Sequence, residues 1–511
     1  MQRVETAKES SSFSPKPSSA MKIFLSYTVA LILGCAGLWL YFELASPLNY
    51  IAVASLIGSA FAIILAPRRV SMLKLGSLTW TENEFCRHVL ITGDTGCGKT
   101  TSGFHRILVE VSKNVPRWGG LVLGVKGDEH EFLTELMRHR LRTDHVLKLE
   151  VRPFNASDDW KPYHRYNLLS DRSLPWTTHA KAIVDTAASL TEGRQDSFFK
   201  PMAQIALGNA LELLSEIGQP VTITRAYHVL TSRHHMEEAI NQLAELSPTA
   251  ARLKVAAFFG DTFLESRADE QREGIEGTIK TYLSFFLDPD IAEVFSSDEP
   301  NTLSISDVDR GRVIAISMPQ RFVTERRYVN TYLKMLFYYH ALRRYELSSA
   351  EQRQQNLLLL VADEYQDLVT ASEDGVSDHK IIDRIRGARC AIVAGMQSEV
   401  SADPAIGRDK RKVLTLNFRT RLIFRAADME GATASADFIG KKNVWKQSRS
   451  SKAFSSVTYT KRQQEDYKIK PAKLMDLKDH FAVVVHPSKR FVRMLLKPVD
   501  ATGRVAQWFR R

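Results

Sequence analysis

Cysteine is scarce. There are four in 511 residues: one at position 35 in an uncharged run, and three isolated at 86, 97 and 390. No pair has the spacing of a zinc knuckle or a disulfide framework, so the chain reads as one suited to a reducing compartment. Internal repeats are lacking too, which argues against solenoids and propellers. No kinase signature set is present. Acidic residues thin out toward the end: from Lys441 onward there are 18 Lys/Arg against five Asp/Glu, a net +13 that leaves the preceding chain near −2. A basic stretch of this kind suits nucleic acid or anionic lipid, or is simply a solvated surface.

Charge is wholly absent from two runs, 23–42 and 48–66. Each is long enough to cross a hydrocarbon core of about 30 Å as a helix. The first is too long for a signal peptide, and no cleavage-like site follows it. Only Glu43 to Pro47 separates the runs, which predicts a two-helix transmembrane hairpin over 21–70. Lys16 and Lys22 precede it and Arg68, Arg69 and Lys74 follow. The positive-inside rule therefore places both termini, and everything after residue 70, in the cytoplasm. Residues 1–20, rich in Ser and Pro, are expected to be a disordered tail.

Beyond the hairpin, short apolar runs alternate with helical patterns: HVLIT (88–92), LVLGV (121–125), VLKLEV (146–151), RVIAIS (312–317), NLLLLVAD (356–363), AIVAGM (391–396) and RLIFRA (421–426). Near-continuous apolar strands belong to a parallel sheet covered on both faces, so the fold class is doubly wound α/β. From Asn167 to about Phe286 the pattern turns helical, broken only by a doubtful strand-like PVTIT (220–224). The expected organisation is a nucleotide-binding domain in two parts, 71–170 and 291–445. An all-α domain (171–290) is inserted between them, and a basic β-rich segment (446–511) follows. Within that segment, 481–498 reads as a hairpin turning at Pro487–Lys489.

ITGDTGCGKTT (91–101) fits the phosphate-loop pattern G-x-x-x-x-G-K-[ST] at Gly93, Gly98, Lys99 and Thr100. Consecutive backbone N–H groups ending at a helix N-terminus can surround a phosphate. Here Asp94, Thr95, Gly96, Cys97 and Thr101 complete the cradle, with Gly96 expected to add backbone freedom where side chains would collide. Lys99 would reach the β- and γ-phosphates of ATP, and the Thr100 hydroxyl would complete a Mg²⁺ shell. An apolar strand leads into the loop and a helical pattern leads out, as the motif requires.

A second acid is needed, and LLLLVADEYQDL supplies Asp363 and Glu364 at a strand's carboxyl end. Asp363 would hold Mg²⁺ and Glu364 would orient or deprotonate the attacking water. Gln397, at the end of AIVAGM, can sense the γ-phosphate or merely end a strand. Arg384, Arg386 and Arg389 crowd just before that strand; each is a candidate arginine finger or a surface ion-pair partner.

With these motifs the chain resembles the type IV secretion coupling proteins, membrane-anchored ATPases of bacterial conjugation within the wider group of FtsK-like DNA pumps. The double span, the phosphate loop soon after it and the helical insertion stand in family order. VKGDEHEFL (125–133) resembles the family's PKGE segment. HRYNLLS (164–170) is similar to its aromatic-Asn-Pro-Leu motif, with Leu168 where proline is usual. ADEYQDL and AGMQS correspond to its Walker B and third motifs. The resemblance implies a RecA-like core and gives Gln397 to γ-phosphate sensing. It also places Arg386 at the finger position, although Ile385 replaces the family's glycine and leaves Arg384 and Arg389 in competition. It implies a homo-hexameric ring at the bacterial inner membrane. That ring would feed relaxase-bound single-stranded DNA, or protein substrates, to a type IV secretion channel. No acidic C-terminal extension of the kind some relatives carry is expected. Two other readings stay open: a chromosomal DNA translocase of the same superfamily, and a non-motor membrane receptor that uses ATP as a structural ligand.

Overall fold

The computed structural model describes residues 71–124, 129–140, 142–190, 199–264, 269–299, 302–371, 376–450 and 458–510. The expected tail, the transmembrane hairpin and the first four residues of VKGDEHEFL lie outside these. Among the described residues no helix is long and apolar enough to cross a membrane.

Strands β1 (Leu73–Leu75) and β2 (Leu78–Trp80) form a small antiparallel pair. Then come β3 (Val89–Thr92), β4 (Trp118–Leu123), β5 (Val146–Glu150), β6 (Val313–Ser317), β7 (Leu357–Ala362), β8 (Cys390–Met396) and β9 (Thr420–Ile423). Next are β10 (Lys441–Ser450), β11 (Thr458–Tyr467), β12 (Phe481–Val485) and β13 (Val492–Leu495). Nine of them make one sheet in the order β13-β12-β9-β3-β8-β7-β4-β6-β5. From β9 to β5 every pairing is parallel. These seven strands are the apolar runs picked out by sequence. Every residue of β3, β4, β7, β8 and β9 is buried, as a sheet covered on both faces demands.

The differences have local causes. Strand β4 begins at Trp118 rather than Leu121, because Gly119 and Gly120 belong to it. A Cβ at either would lie 2.0 Å from a carbonyl oxygen, that of Val308 or of Leu359. Glycine reads as a loop signal in sequence, yet here close backbone approach requires it. PVTIT is no strand: Thr222 caps the helix Ile223–Thr231 and accepts from the Arg225 amide. The sheet is mixed rather than purely parallel, since β12 runs antiparallel to β9 and β13 antiparallel to β12. The C-terminal hairpin is thus an edge of the main sheet, and the boundary expected at 445/446 falls inside β10.

Between β5 and β6 the described elements are all helices, from Trp176–Leu190 through Phe199–Glu216 and Asp269–Leu283 to Pro289–Phe295. HRYNLLS ties the two ends of this insertion together. The amides of Tyr166 and Leu168 donate to the carbonyls of Val294 and Phe295. Asn167 donates to Val221 O at 2.9 Å and accepts from the Leu169 amide at 3.0 Å. The long helix Val323–Arg343 then packs along Trp176–Leu190 and is buried on most of its surface.

Candidate nucleotide site at the carboxyl edge of the sheet

Strands β3, β8 and β7 are consecutive neighbours, so their carboxyl ends lie side by side. The phosphate-loop motif leaves β3, Gln397 follows β8, and Asp363 and Glu364 follow β7. Tertiary structure thus gathers four sequence-predicted groups from positions up to 300 residues apart on one edge. Ligands of open α/β sheets sit at this edge.

The loop is shaped by glycine at left-handed φ, +78° at Gly96 and +104° at Gly98. A Cβ on Gly96 would meet nothing within 4 Å, so the expected backbone freedom calls for glycine there and the expected collision does not. Gly98 is constrained twice: a Cβ would also lie 2.6 Å from His480 Nδ1. The helix opens at Lys99 with a wide turn, closed by the His105 amide on Thr100 O. The amides of Gly96 and Gly98 have no partner among the described residues, and those of residues 99–101 are first-turn donors. Lys99 is buried, its Nζ 2.7 Å from Gly93 O and 3.1 Å from Asp94 O. The ammonium therefore lies across the loop's mouth. Thr95 is exposed at the crest, while Cys97 is buried; burial pushes its thiol up from the ordinary value, so it is a packing group and not a reactive thiol.

Asp363 is fixed by its amide, which donates to Leu123 O at 3.1 Å, and it accepts from the Glu364 amide at 3.0 Å. Gly395 makes room for it: a Cβ there would lie 2.8 Å from Asp363 Oδ1 and 2.6 Å from the Phe104 ring. Thus the glycine of AGMQS lets the acid of β7 lie next to the loop's helix. Glu364 is left-handed at φ 47°, ψ 49°, a conformation that costs a non-glycine residue about 1–2 kcal/mol. Its carboxylate accepts from Gln366 Nε2 at 2.7 Å. Burial pushes the nearby Asp367 carboxyl up, with Arg327 opposing and the Glu364 charge reinforcing. Gln397 is exposed, and the Gly93 amide reaches the carbonyls of both Met396 and Gln397.

Sequence reasoning missed the groups that brace the loop. Asp94 N donates to Arg425 O at 2.7 Å, and the Arg425 guanidinium meets Asp94 at 3.5 Å and Asp479 at 2.8 Å. Arg425 stands two residues past β9, in the run RLIFRA, so the strand-end rule that found Gln397 could have found it. His480 has no local signal. Its amide donates to Cys97 O, and its Nδ1 lies 2.8 Å from the Ser102 hydroxyl. Burial lowers its pKa from the ordinary histidine value.

A buried hub stands behind Glu364. Asp378, wholly buried, accepts from Lys334 Nζ at 2.5 Å, Tyr365 OH at 2.5 Å and Tyr338 OH at 2.7 Å. The Thr370 amide and hydroxyl donate to it at 2.7 and 3.0 Å. Burial pulls this carboxyl up, but Lys334 and the donors outweigh it and hold it below the ordinary range. Lys334 also donates to Leu368 O. Asp378 opens the helix Asp378–Ile385, which runs toward the candidate fingers.

Those arginines sit at the opposite, amino edge of the sheet. Arg389 is held by Glu82 through two hydrogen bonds, at 2.6 and 2.9 Å, and by the carbonyls of Arg353 and Gln355. Arg384 and Arg386 are exposed. Arg386 joins Arg87, Arg419, Asp383 and Asn417 around a cavity of about 280 Å³. His88 closes its floor, accepting from the Ile392 amide at Nδ1 and donating to Ile382 O at 2.6 Å from Nε2. Burial pushes its pKa down to about 4, and Arg386 adds to that. Strand β8 has seven residues at roughly 3.3 Å each, so about 20 Å separates this edge from the loop.

Comparison with known proteins adds the family. The profile described as "Type IV secretion-system coupling protein DNA-binding domain" matches residues 72–497. Among curated proteins none matches. Among solved structures the chain is similar to the bacterial conjugative coupling protein TrwBdeltaN70 in its unbound monoclinic form. That match has TM-score 0.61 and 16% identity, over 86% of this chain and 91% of that one. It is likewise similar to plasmid coupling protein TrwB in complex with ADP and Mg²⁺, at TM-score 0.60 and 16% identity, over 87% of this chain and 93% of that one. At that identity the structures share a fold, an α/β core on a large, mainly parallel sheet. The profile spans most of the sequence, and on that ground the chain belongs to the type IV secretion coupling proteins.

Proposed function

We propose that the chain is an ATPase that couples hydrolysis to delivery of DNA, or of protein substrates, to a type IV secretion channel. The observation that carries this reading is the meeting of Lys99, Thr100, Asp363, Glu364 and Gln397 at the carboxyl ends of three adjacent strands. The donor set fits a nucleotide with Mg²⁺. Unpartnered loop amides are available to phosphate, and a hydroxyl and a carboxylate offer the few hard oxygens Mg²⁺ takes beside phosphates. Thr100 and Asp363 would hold the ion, whose charge would offset that of the phosphates. Lys99 would turn from the loop carbonyls to the β- and γ-phosphates. Glu364 would accept a proton from water as the water oxygen bonds to the γ-phosphorus and the bridging oxygen leaves with ADP. Gln366 holds Glu364, and Gln397 lies next to the loop to meet the γ-phosphate.

The distance between the two edges supports a ring assembly. At about 20 Å from its own loop, Arg386 can serve only a neighbour's nucleotide. A closed ring of identical subunits, a hexamer in this reading, meets that need. The uncharged runs at 23–42 and 48–66 would anchor it in the bacterial inner membrane, with both termini cytoplasmic. A relaxase-bound single strand is the DNA substrate in this reading.

The test is Glu364→Gln in the full chain. Nucleotide binding should persist, because loop and Mg²⁺ ligands remain, while hydrolysis falls about 100-fold or more. Lys99→Ala should weaken binding itself, and added DNA should raise wild-type turnover. Unchanged hydrolysis in Glu364→Gln would sink the catalytic assignment. Turnover indifferent to DNA would favour the receptor reading.

A further inference from the structure

Strands β10 and β11 pair with each other and with nothing else in the sheets, a ribbon of ten residues a side. At about 3.3 Å per residue it is roughly 30 Å long. Its base is tied down. The Lys468 amide donates to Gly440 O at 3.0 Å, and Tyr467 packs among Ile439 and Leu474. Lys441 lies 5.0 Å from the Tyr467 ring centre and 3.8 Å from Asp437.

Beyond the base the chemistry changes. The ribbon's two acids, Glu465 and Asp466, pair across the strands with Asn443 and Lys442, close to the base. Further out, Lys446 stands directly opposite Arg462, and Lys461 opposite Gln447; all three cations are exposed. None of the three makes an ion pair among the described residues. Like charges directly opposite destabilise a strand pair, so this register opposes the ribbon unless an anion bridges it. A lone two-stranded ribbon is marginal in water even without that repulsion.

Alternation places Trp445 on the face that carries Asn443, Gln447, Gln463, Lys461 and Glu465, while Lys446 and Arg462 lie on the other face. Trp445 is 69% exposed, with no apolar neighbour on its face. An exposed indole beside amides and Lys461, with two more cations on the ribbon's other face, suits stacking on an unpaired base of a strand that follows the ribbon. A lipid surface fits poorly, because neither face offers the apolar stripe that enters an acyl boundary. Acidic protein would satisfy the cations but leave the indole uncovered.

We propose that the β10–β11 ribbon is an arm that holds single-stranded DNA, with Trp445 stacked on a base and Lys446, Lys461 and Arg462 on the phosphates. This rests on the DNA-delivery reading above and names a gripping element far in sequence from the nucleotide site.

The experiment measures binding of a labelled oligothymidylate to the full chain by fluorescence anisotropy over a range of salt. K446E/K461E/R462E should weaken binding at least tenfold and flatten the log–log salt slope by about two, since each lost phosphate contact removes about 0.7 on single strands. W445A should weaken binding about tenfold with the slope unchanged, and W445F should recover most of it. Nucleotide binding by each variant should match wild type, which shows that the core is folded. Wild-type binding with no effect of either change overturns the arm alone. A wild-type chain that binds no oligonucleotide overturns the delivery reading and the arm with it. Duplex preferred over the oligothymidylate by wild type, or a change of oligomeric state in the charge variant with its DNA affinity unchanged, also overturns the arm. The last result would make the ribbon a contact between copies.

Discussion

At the carboxyl edge of the sheet, most of the functional groups are held by something else in the chain. Lys99 is held by two loop carbonyls, Asp363 by a β4 carbonyl, Glu364 by Gln366, and the loop itself by Arg425 and His480. At the amino edge, Arg87, Arg386 and Arg419 surround a cavity and make no ion pair among the described residues. Arg389, a few residues away, shows what a structurally employed arginine looks like there, clamped by Glu82 and two carbonyls. The contrast is between an edge whose groups are braced by the rest of the chain and an edge whose arginines make no ion pair among the described residues. The same cavity is lined by one acid, Asp383, against three arginines, and in the proposed ring a second subunit's nucleotide supplies the further anion.

The helix Asp378–Ile385 connects the two edges, anchored at its start by the hub around Asp378. Removing one partner of a buried ion pair strands the other charge, so Lys334→Met should cost about 3–5 kcal/mol of stability. Chemical denaturation would measure it. A loss under about 1 kcal/mol would mean that the hub does not bind the two edges into one body.

Arg386→Ala should leave nucleotide affinity intact and lower turnover by about a thousandfold, the scale of a finger supplied across an interface. Mixed with Lys99→Ala subunits, it should regain part of the activity, because some interfaces then pair an intact loop with an intact arginine. Arg384→Ala, measured in parallel, should change turnover much less, since Arg384 does not line the cavity. Rescue with Arg384→Ala and none with Arg386→Ala would reverse that assignment.

Acid should act on the amino edge through His88. Its folded pKa of about 4 lies below the ordinary 6.5, so between those values the unfolded chain binds the extra proton. Stability from the neutral ring is present in full above pH 6.5 and is lost as pH falls toward 4, by about 3 kcal/mol. Thermal melts at pH 7 and pH 5 should show a smaller drop for His88→Asn than for wild type. Equal drops would show that other groups carry the acid sensitivity.

The smallest expected effect is at the clamped arginine. Glu82→Ala should cost about 1 kcal/mol or less, as for a partly exposed ion pair, with turnover unchanged. A large fall in turnover would return Arg389 to the list of fingers.

Much of this was legible in the chain because the signals were local. Seven parallel strands could be read as apolar runs, since a strand buried on both faces has no polar alternation to disguise it. The phosphate loop could be read because its glycines and Lys99 must stand at fixed spacing to surround a phosphate. Gly119 and Gly120 misled for the converse reason: glycine looks the same whether it loosens a loop or admits a neighbouring carbonyl. Nothing local could reveal that His480 touches Gly98 and Ser102, because 378 residues separate that histidine from its hydroxyl partner. The sequence by itself determined the α/β class, the order of its strands along the chain and the acids and lysine of the nucleotide motifs. Only tertiary structure decided that β8 lies between β3 and β7, that Gly395 opens space for Asp363, and that Arg386 stands about 20 Å from its own loop. Strand adjacency and edge are set by long-range packing, and no local spacing of residues encodes them.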